Sequence, residues 1–154
     1  MPTITMPKFA ELPDAAQRAF SSCHAEPRQF PAGAKFYKFT QHSLTGSSGG
    51  VSPWWSGVEP LGPGDPGLAG TLERAERLGV APKDFVRAQS AVTNQWNSMD
   101  GLLVIRLRRP VAGFVGRCAH QPMDQDPAMR NVLWIGGAWQ AYLPDLSRGD
   151  VEAL

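Results

Sequence analysis

The sequence has few of the features that would tie it to a disulfide framework, a metal, a nucleic acid or a membrane. Its two cysteines, Cys23 and Cys118, form no Cys-x-x-Cys pair, which predicts free thiols and no zinc site. Its 15 basic and 14 acidic residues leave a net charge of +1. Nucleic acids and anionic lipids select strongly basic surfaces. We therefore expect no nucleic-acid partner and no membrane partner.

Long apolar runs are also missing. None approaches the roughly 18 residues of a membrane-spanning helix, and no basic segment followed by an apolar one opens the chain as in a secretory signal. The expected location is the cytoplasm, or outside the cell after export by a signal-peptide-independent secretion system.

The motifs of the common nucleotide-binding and hydrolase folds are missing from the context that those folds require. No G-x-G-x-x-G follows a predicted strand, and neither the phosphate-binding motif G-x-x-x-x-G-K-Ser/Thr nor H-E-x-x-H occurs. G-x-S-x-G is matched only by the glycine–serine run at 46–50. His24, His42 and His120 stand apart from each other and from the cysteines, so they predict no metal ligands. Asp124 and Asp126 lie in a polar stretch, where solvated carboxylates are the usual case. Any catalysis therefore depends on other residue types.

Glycine and proline are plentiful, with 16 and 14 copies. They concentrate in residues 43–70, a long irregular segment of the kind that is usually functional in a compact domain. At 154 residues, the chain has the length of one domain with its own core.

Hydrophobic periodicity predicts an α+β fold. Helices are predicted at 12–23, 65–79 and 81–96, and strands at 34–40, 101–110, 112–118, 131–135 and 139–144. Residues 26–33 are predicted as a turn and 120–130 as a polar loop. Because strands follow strands in the second half, the order does not fit an alternating, doubly wound sheet.

Three remaining features have ordinary structural explanations. Lys38 lies among aromatic residues on the first predicted strand, where a lysine usually extends outward over apolar neighbours. Trp54 and Trp55 are adjacent, so both cannot face one core from a strand. The segment 136–140, Gly-Gly-Ala-Trp-Gln, interrupts a strand, which usually indicates a bulge or close packing.

Taken in order, these features resemble the NAD glycohydrolases of the tuberculosis necrotizing toxin type, relatives of the ADP-ribosyltransferase toxins. The matching segments are FPAGAKFYKFT (30–40), GGVSPWW (49–55), IRLRRPVAGFVG (105–116) and GGAWQAY (136–142). The resemblance implies a compact ADP-ribosyltransferase-like fold, in which antiparallel-rich split sheets form a central cleft and helices are inserted between the first and later strands. Residues 31–154 would form the NAD-binding domain, and residues 1–30 an N-terminal helical extension.

The resemblance also implies an activity, the hydrolysis of the nicotinamide–ribose bond of NAD by a bacterial toxin or effector. NAD would be the substrate, with no permanently bound cofactor and no metal. Gln140 matches the family's glutamine and is the expected catalytic residue, since a fixed amide near the ribose can stabilise an oxocarbenium-like transition state. Lys38 is expected on the pyrophosphate. The other expected NAD-binding residues are Tyr37, Ser52, Trp54, Trp55, Gly136, Gly137, Trp139, Arg87 and Arg106.

Departures from the family pattern leave alternatives open. The family usually has arginine where this chain has Lys38, so Arg87 or Arg106 is considered as a further phosphate ligand. Transferases of this fold generally carry glutamate at the position of Gln140, which favours hydrolysis over mono-ADP-ribosylation. A non-catalytic nucleotide- or protein-binding module is the other alternative. An NAD-destroying toxin also requires a cognate immunity protein in the cell that makes it.

Overall fold

The described part of the chain forms a large β-sheet with three short α-helices. The computed structural model describes residues 8–40, 44, 51–89, 101–119, 121–122, 133–134 and 136–154. The helices are α1 (Asp14–Arg18), α2 (Gly67–Leu78) and α3 (Pro82–Gln89). The strands are β1 (Glu26–Phe30), β2 (Lys35–Thr40), β3 (Trp54–Gly57), β4 (Gly101–Leu107), β5 (Val111–Arg117), β6 (Gln121–Pro122), β7 (Leu133–Trp134), β8 (Trp139–Tyr142) and β9 (Val151–Ala153). The predicted α+β class is confirmed.

The main sheet has seven strands in the order β1-β5-β8-β3-β2-β4-β9. All of its pairings are antiparallel, and β6 and β7 form a separate antiparallel pair. Helices α2 and α3 are inserted between β3 and β4, as expected. Within the described ranges, no helix is long and apolar enough to cross a membrane.

Strand β3 changes partner halfway along its length. Trp54 and Trp55 pair with β8, whereas Ser56 and Gly57 pair with β2. If the β3–β8 register continued, Ser56 would oppose Gln140. Since Ser56 pairs with β2 instead, β8 and β2 diverge from each other at this point. The sheet therefore opens beside β3.

Two apolar clusters pack against the sheet because successive strand residues point to opposite faces. Ala141 and Tyr142 on β8 illustrate the alternation, since each belongs to a different cluster. The main core contains Phe30, Phe36, Trp55, Leu61, Ile105, Leu107, Val111, Val115, Ala141, Leu143, Leu146 and Val151. The N-terminal core contains Leu12, Ala16, Phe20, Ala25, Phe114 and Tyr142. Residues 12–25 thus cover one face of the sheet.

Some elements differ from the predictions. The predicted turn at 26–33 is wrong for residues 26–30, which form β1 at the sheet edge against β5. Only Phe30 of this strand is buried, so periodicity gives little signal there, and Pro27 is tolerated because β1 is an edge strand. Strand β9 was not predicted. The predicted helix at 12–23 contains α1 and a 3₁₀ turn, Ser21–Cys23.

Helices α2 and α3 begin near the predicted points. An oxygen of Asp65 accepts a hydrogen bond from the Gly67 N–H at 3.0 Å, and Gly79 follows the last turn of α2 with a φ of 68°. Helix α3 begins at Pro82. The predicted continuation over 90–96 and most of the predicted polar loop 120–130 lie outside the described residues.

Candidate functional site

A groove opens where β3 leaves β8 and joins β2. The space within it, about 570 Å³, includes open solvent. Residues from the sheet, from α2 and α3, and from the segment before β8 line it, among them Tyr37, Ser56, Arg74, Phe85, Arg117 and Trp139. The divergence of the two halves of the sheet thus creates a cleft.

Hydroxyl groups lie along one side of this groove. Tyr37 is buried, and burial raises the pKa of its hydroxyl, while hydrogen bonds with Thr71 and Ser56 act in the opposite direction. The Thr71 hydroxyl also donates to the Gly67 carbonyl at 2.7 Å, which fixes its position on α2. The groove therefore presents neutral, ordered hydroxyls.

The opposite side is formed by an arginine stacked on an indole. The Arg117 guanidinium donates to the carbonyls of Gly137, at 2.9 Å, and Pro63, at 3.1 Å. Its central carbon lies 4.8 Å from the centroid of the Trp139 ring. The Trp139 indole N–H also donates to Pro63, at 3.0 Å. A Cβ atom at Gly62 would overlap the same ring, so Gly62 packs directly against this indole.

The two glycines before β8 have different roles. Both have a positive φ, 72° at Gly136 and 87° at Gly137, which confirms that the chain breaks its strand conformation here. A Cβ at Gly136 would lie 2.6 Å from the Ala119 carbonyl and 2.8 Å from that of Cys118. A Cβ at Gly137, which lines the groove, would meet nothing within 4 Å. Close packing within the protein therefore requires Gly136, and only Gly137 offers backbone to a ligand.

Gln140 is held by the N-terminal segment. Its side-chain amide donates to the Ala19 carbonyl at 3.0 Å, and the Ala119 N–H donates to the same oxygen at 2.8 Å. On β8 the side chain shares a face with Tyr142 and lies on the face opposite Trp139. Gln140 is half-buried beside the opening of the sheet but is not one of the groove-lining residues.

Lys38 and Trp55 lie on the sheet face opposite Tyr37. The Lys38 ammonium nitrogen is 4.5 Å from the centroid of the Trp55 ring. Burial lowers the pKa of Lys38 to about 8. Trp55 is 2% exposed within the main core, and its indole donates to the Ser52 carbonyl at 2.7 Å. Lys38, Trp55 and Ser52 are therefore not groove-lining residues.

The remaining predicted ligands have other surroundings. Trp54 packs on Phe20 and Tyr142, with ring centroids 5.7 and 4.5 Å away. Arg106 forms an ion pair with Glu152 at 2.7 Å, and Arg87 is buried on α3. Of all predicted binding residues, the groove brings together Tyr37, Gly137 and Trp139.

Sequence reasoning missed Arg117, Arg74, Ser56 and Thr71. Arg117 lies near the end of the predicted strand 112–118 and is the last residue of β5, but nothing in the sequence pairs it with Trp139. Arg74 is one of several charged residues on α2 and has no distinguishing signal. Among the described residues, no cluster of three or more His, Cys, Asp or Glu side chains is suited to a metal.

The lowered pKa of Lys38 predicts a pH effect on stability. The folded-state pKa is about 8, below the unfolded value of about 10.4. Between these values the unfolded chain binds more protons, so the Lys38 contribution makes stability rise with pH. Below about pH 8 Lys38 is charged in both the folded and the unfolded state, so the free-energy cost of burying its charge no longer changes with pH. Replacement of Lys38 with methionine is therefore expected to stabilise the protein near neutral pH.

Urea unfolding at several pH values from neutral to about 10 measures this effect. The stability difference between the Lys38→Met variant and wild type is expected to shrink as the pH rises. Lys35→Met, at an exposed position on the same strand, is the control and is expected to show no such trend. A pH-independent difference for Lys38→Met would contradict the assignment.

Comparisons with known proteins include a weak structural neighbour. No protein-family model matches the sequence, and no curated protein matches it. Among solved structures, Tse6, solved in complex with Tsi6, aligns with a TM-score of 0.44 and 17% sequence identity, over 92% of this chain and 80% of that chain. Similarity at this level carries no argument about activity.

Proposed function

We propose that the groove binds NAD in an ADP-ribosyltransferase-like fold and that the protein hydrolyses the bond between nicotinamide and ribose. The observation that carries the proposal is the opening of the sheet at β3. It brings the Trp139 ring, the Tyr37 and Ser56 hydroxyls and two guanidinium groups into one groove. A dinucleotide has flat bases, ribose hydroxyls and anionic phosphates. The ring, the hydroxyls and the guanidinium groups of the groove are complementary to these three parts in turn.

The reaction requires little acid–base chemistry. When the C1′–N bond breaks, its electron pair goes to the nicotinamide ring nitrogen and neutralises the pyridinium charge. Water attacks C1′ and releases one proton to solvent, giving nicotinamide and ADP-ribose. The barrier therefore lies in the positive charge that develops on the ribose. A carboxamide oxygen with a fixed orientation is able to stabilise that charge without ionising.

Gln140 is the residue we propose for this role. Its backbone lies beside the opening of the sheet, one residue after the groove-lining Trp139, and this supports a role near the ribose. The bond from its amide nitrogen to the Ala19 carbonyl fixes the carboxamide. A group that is already oriented needs no reorganisation when the transition state forms. Transferases of this fold generally have a carboxylate at this position. Because Gln140 is an amide, we propose that water, and not a protein side chain, accepts the ADP-ribose group.

An enzyme that destroys NAD harms the cell that makes it. We therefore extend the proposal to a bacterial toxin or effector that acts on other cells, with a cognate immunity protein as its partner. Such a protein would remain in the cytoplasm until a signal-peptide-independent system delivers it.

One-dimensional NMR of NAD mixed with purified protein tests the activity. We expect free nicotinamide and ADP-ribose to accumulate in equal amounts, at a rate proportional to protein concentration. A parallel reaction with NADP determines the dinucleotide preference. Nicotinamide release with ADP-ribose attached to protein would indicate a transferase. Absence of nicotinamide at high protein concentration would contradict the proposed function.

A further inference from the structure

We infer that Arg117 and Arg74 form a binding site for a phosphate or diphosphate group at the groove. The ligand class is an organic diphosphate. The inference takes the full ligand, a dinucleotide, from the proposed function, but it does not depend on hydrolysis. The two arginines come from β5 and α2, and both line the groove.

The surroundings of Arg117 hold its guanidinium without neutralising it. The two hydrogen-bond acceptors are the backbone carbonyls of Gly137 and Pro63, and the stacking partner is the Trp139 indole. In the described part of the chain, no carboxylate forms an ion pair with Arg117. A guanidinium has more N–H donors than these two carbonyls use. Arg117 is therefore an oriented cation with donors left for a ligand.

Helix α2 adds the second charge. Arg74 is exposed and lines the groove. Arg77, one turn further along α2, forms an ion pair with Glu73 on the exposed surface. Of these two arginines, Arg74 is therefore the one that lines the groove.

One carboxylate, that of Asp65, also lines the groove. Its two oxygens accept hydrogen bonds from the backbone N–H groups of Leu61, at 2.7 Å, and Gly67, at 3.0 Å. Asp65 therefore anchors the loop before α2. Counting Arg74, Arg117 and Asp65, the groove keeps an excess of positive charge, which favours an anion.

Arginine suits this ligand because its planar guanidinium group can donate hydrogen bonds to two phosphate oxygens at once. Because the Arg117 guanidinium is already held in place before the ligand binds, less side-chain entropy is lost on binding. A diphosphate at Arg117 would place an attached nucleoside next to the Trp139 ring. The same surface thus accounts for both the anionic and the aromatic parts of the ligand.

Isothermal titration calorimetry with ADP-ribose and with inorganic pyrophosphate tests the inference. Arg117→Gln is expected to weaken ADP-ribose binding by about tenfold or more, the usual effect of losing a charge-assisted hydrogen bond. Arg74→Gln is expected to weaken it in the same direction. Arg77→Gln removes the same charge from α2 outside the groove and is the matched control, with unchanged affinity. Raising the salt concentration is expected to reduce the difference between wild type and Arg117→Gln.

The outcomes separate this inference from the proposed enzymatic activity, because ADP-ribose has no bond to nicotinamide. Binding that depends on Arg117 and Arg74, without nicotinamide release from NAD, would support the phosphate site and contradict hydrolysis. Wild-type protein that binds neither probe, or variants that bind ADP-ribose as wild type does, would overturn the site. Circular dichroism checks that Arg117→Gln is folded. If it is not, the comparison of Arg74→Gln with Arg77→Gln decides the matter.

Discussion

Replacement of Gly136 with alanine is expected to destabilise the protein by about 2–4 kcal/mol. The backbone has a φ of 72° there, which costs a non-glycine residue roughly 1 kcal/mol or more. The new Cβ would also lie 2.6 Å from the Ala119 carbonyl oxygen. That contact is with backbone, which cannot rotate away as a flexible side chain does. The change therefore shifts the chain that carries Gly137 and Trp139.

Gly137→Ala is the matched control for this experiment. Its φ of 87° is equally unfavourable for alanine, but its Cβ would meet nothing within 4 Å. We expect a loss of about 1 kcal/mol from the backbone conformation alone. Urea unfolding of both variants measures the difference. Equal destabilisation would show that the packing of Gly136 against residues 118–119 contributes nothing.

Replacement of Gln140 with alanine is expected to lower kcat for NAD hydrolysis by about 100-fold or more, the usual effect of removing one preorganised polar group from a transition state. The stability loss is expected to be about 1 kcal/mol. It is small because the Ala19 carbonyl keeps its hydrogen bond from the Ala119 N–H. Steady-state kinetics together with urea unfolding measure both effects. Wild-type kcat with reduced stability would make Gln140 only a tether for the N-terminal segment.

Gln140→Glu separates the two roles further. A glutamate carboxylate has no proton to donate to the Ala19 carbonyl, so two oxygens would face each other at the position of the present 3.0 Å contact. This repulsion raises the folded-state pKa of the new carboxyl above its unfolded value of about 4.3. The folded state then binds more protons, and stability falls as the pH rises through this range. Gln140→Glu is expected to be less stable than Gln140→Ala at neutral pH, and to recover in acid.

Unfolding of these two variants at acidic and at neutral pH provides the comparison. A Gln140→Glu variant as stable as Gln140→Ala at every pH would contradict the importance of the donor. The expected result gives a physical reason for an amide at this position that is independent of the reaction.

Local signals account for the elements that were predicted well. Helix α2 begins after Asp65, which accepts a hydrogen bond from the Gly67 N–H, and ends at its C-cap Gly79. Both interactions involve residues close in sequence. Strand β2 has a dense aromatic pattern, and the opposite faces of Tyr37 and Lys38 follow from strand geometry alone. By contrast, β1 has one buried residue and β9 only three residues. Their hydrogen bonds come from β5 and β4, and single-chain periodicity does not contain that information.

In the candidate site, too, some residues were predicted from local patterns and others depend on packing between distant segments. The sequence nominated Trp139 and Gly137 from a broken strand, and both line the groove. It also nominated Lys38 and Arg106, whose neighbours in the structure are Trp55 and Glu152. A charged residue type indicates a possible ligand contact, but its partner is chosen by packing.

By itself, the sequence determined the α+β class, the C-terminal cap of α2, the break at Gly136 and Gly137 and the alternation along each strand, because these depend on local backbone conformation and side-chain volume. Only the tertiary structure decided where β3 exchanges β8 for β2, which arginine stacks on Trp139, and that Gln140 bonds to Ala19, 121 residues away. These features require chain segments distant in sequence to meet. Their free energy comes from burial and hydrogen bonds shared between those segments, and no local pattern records it.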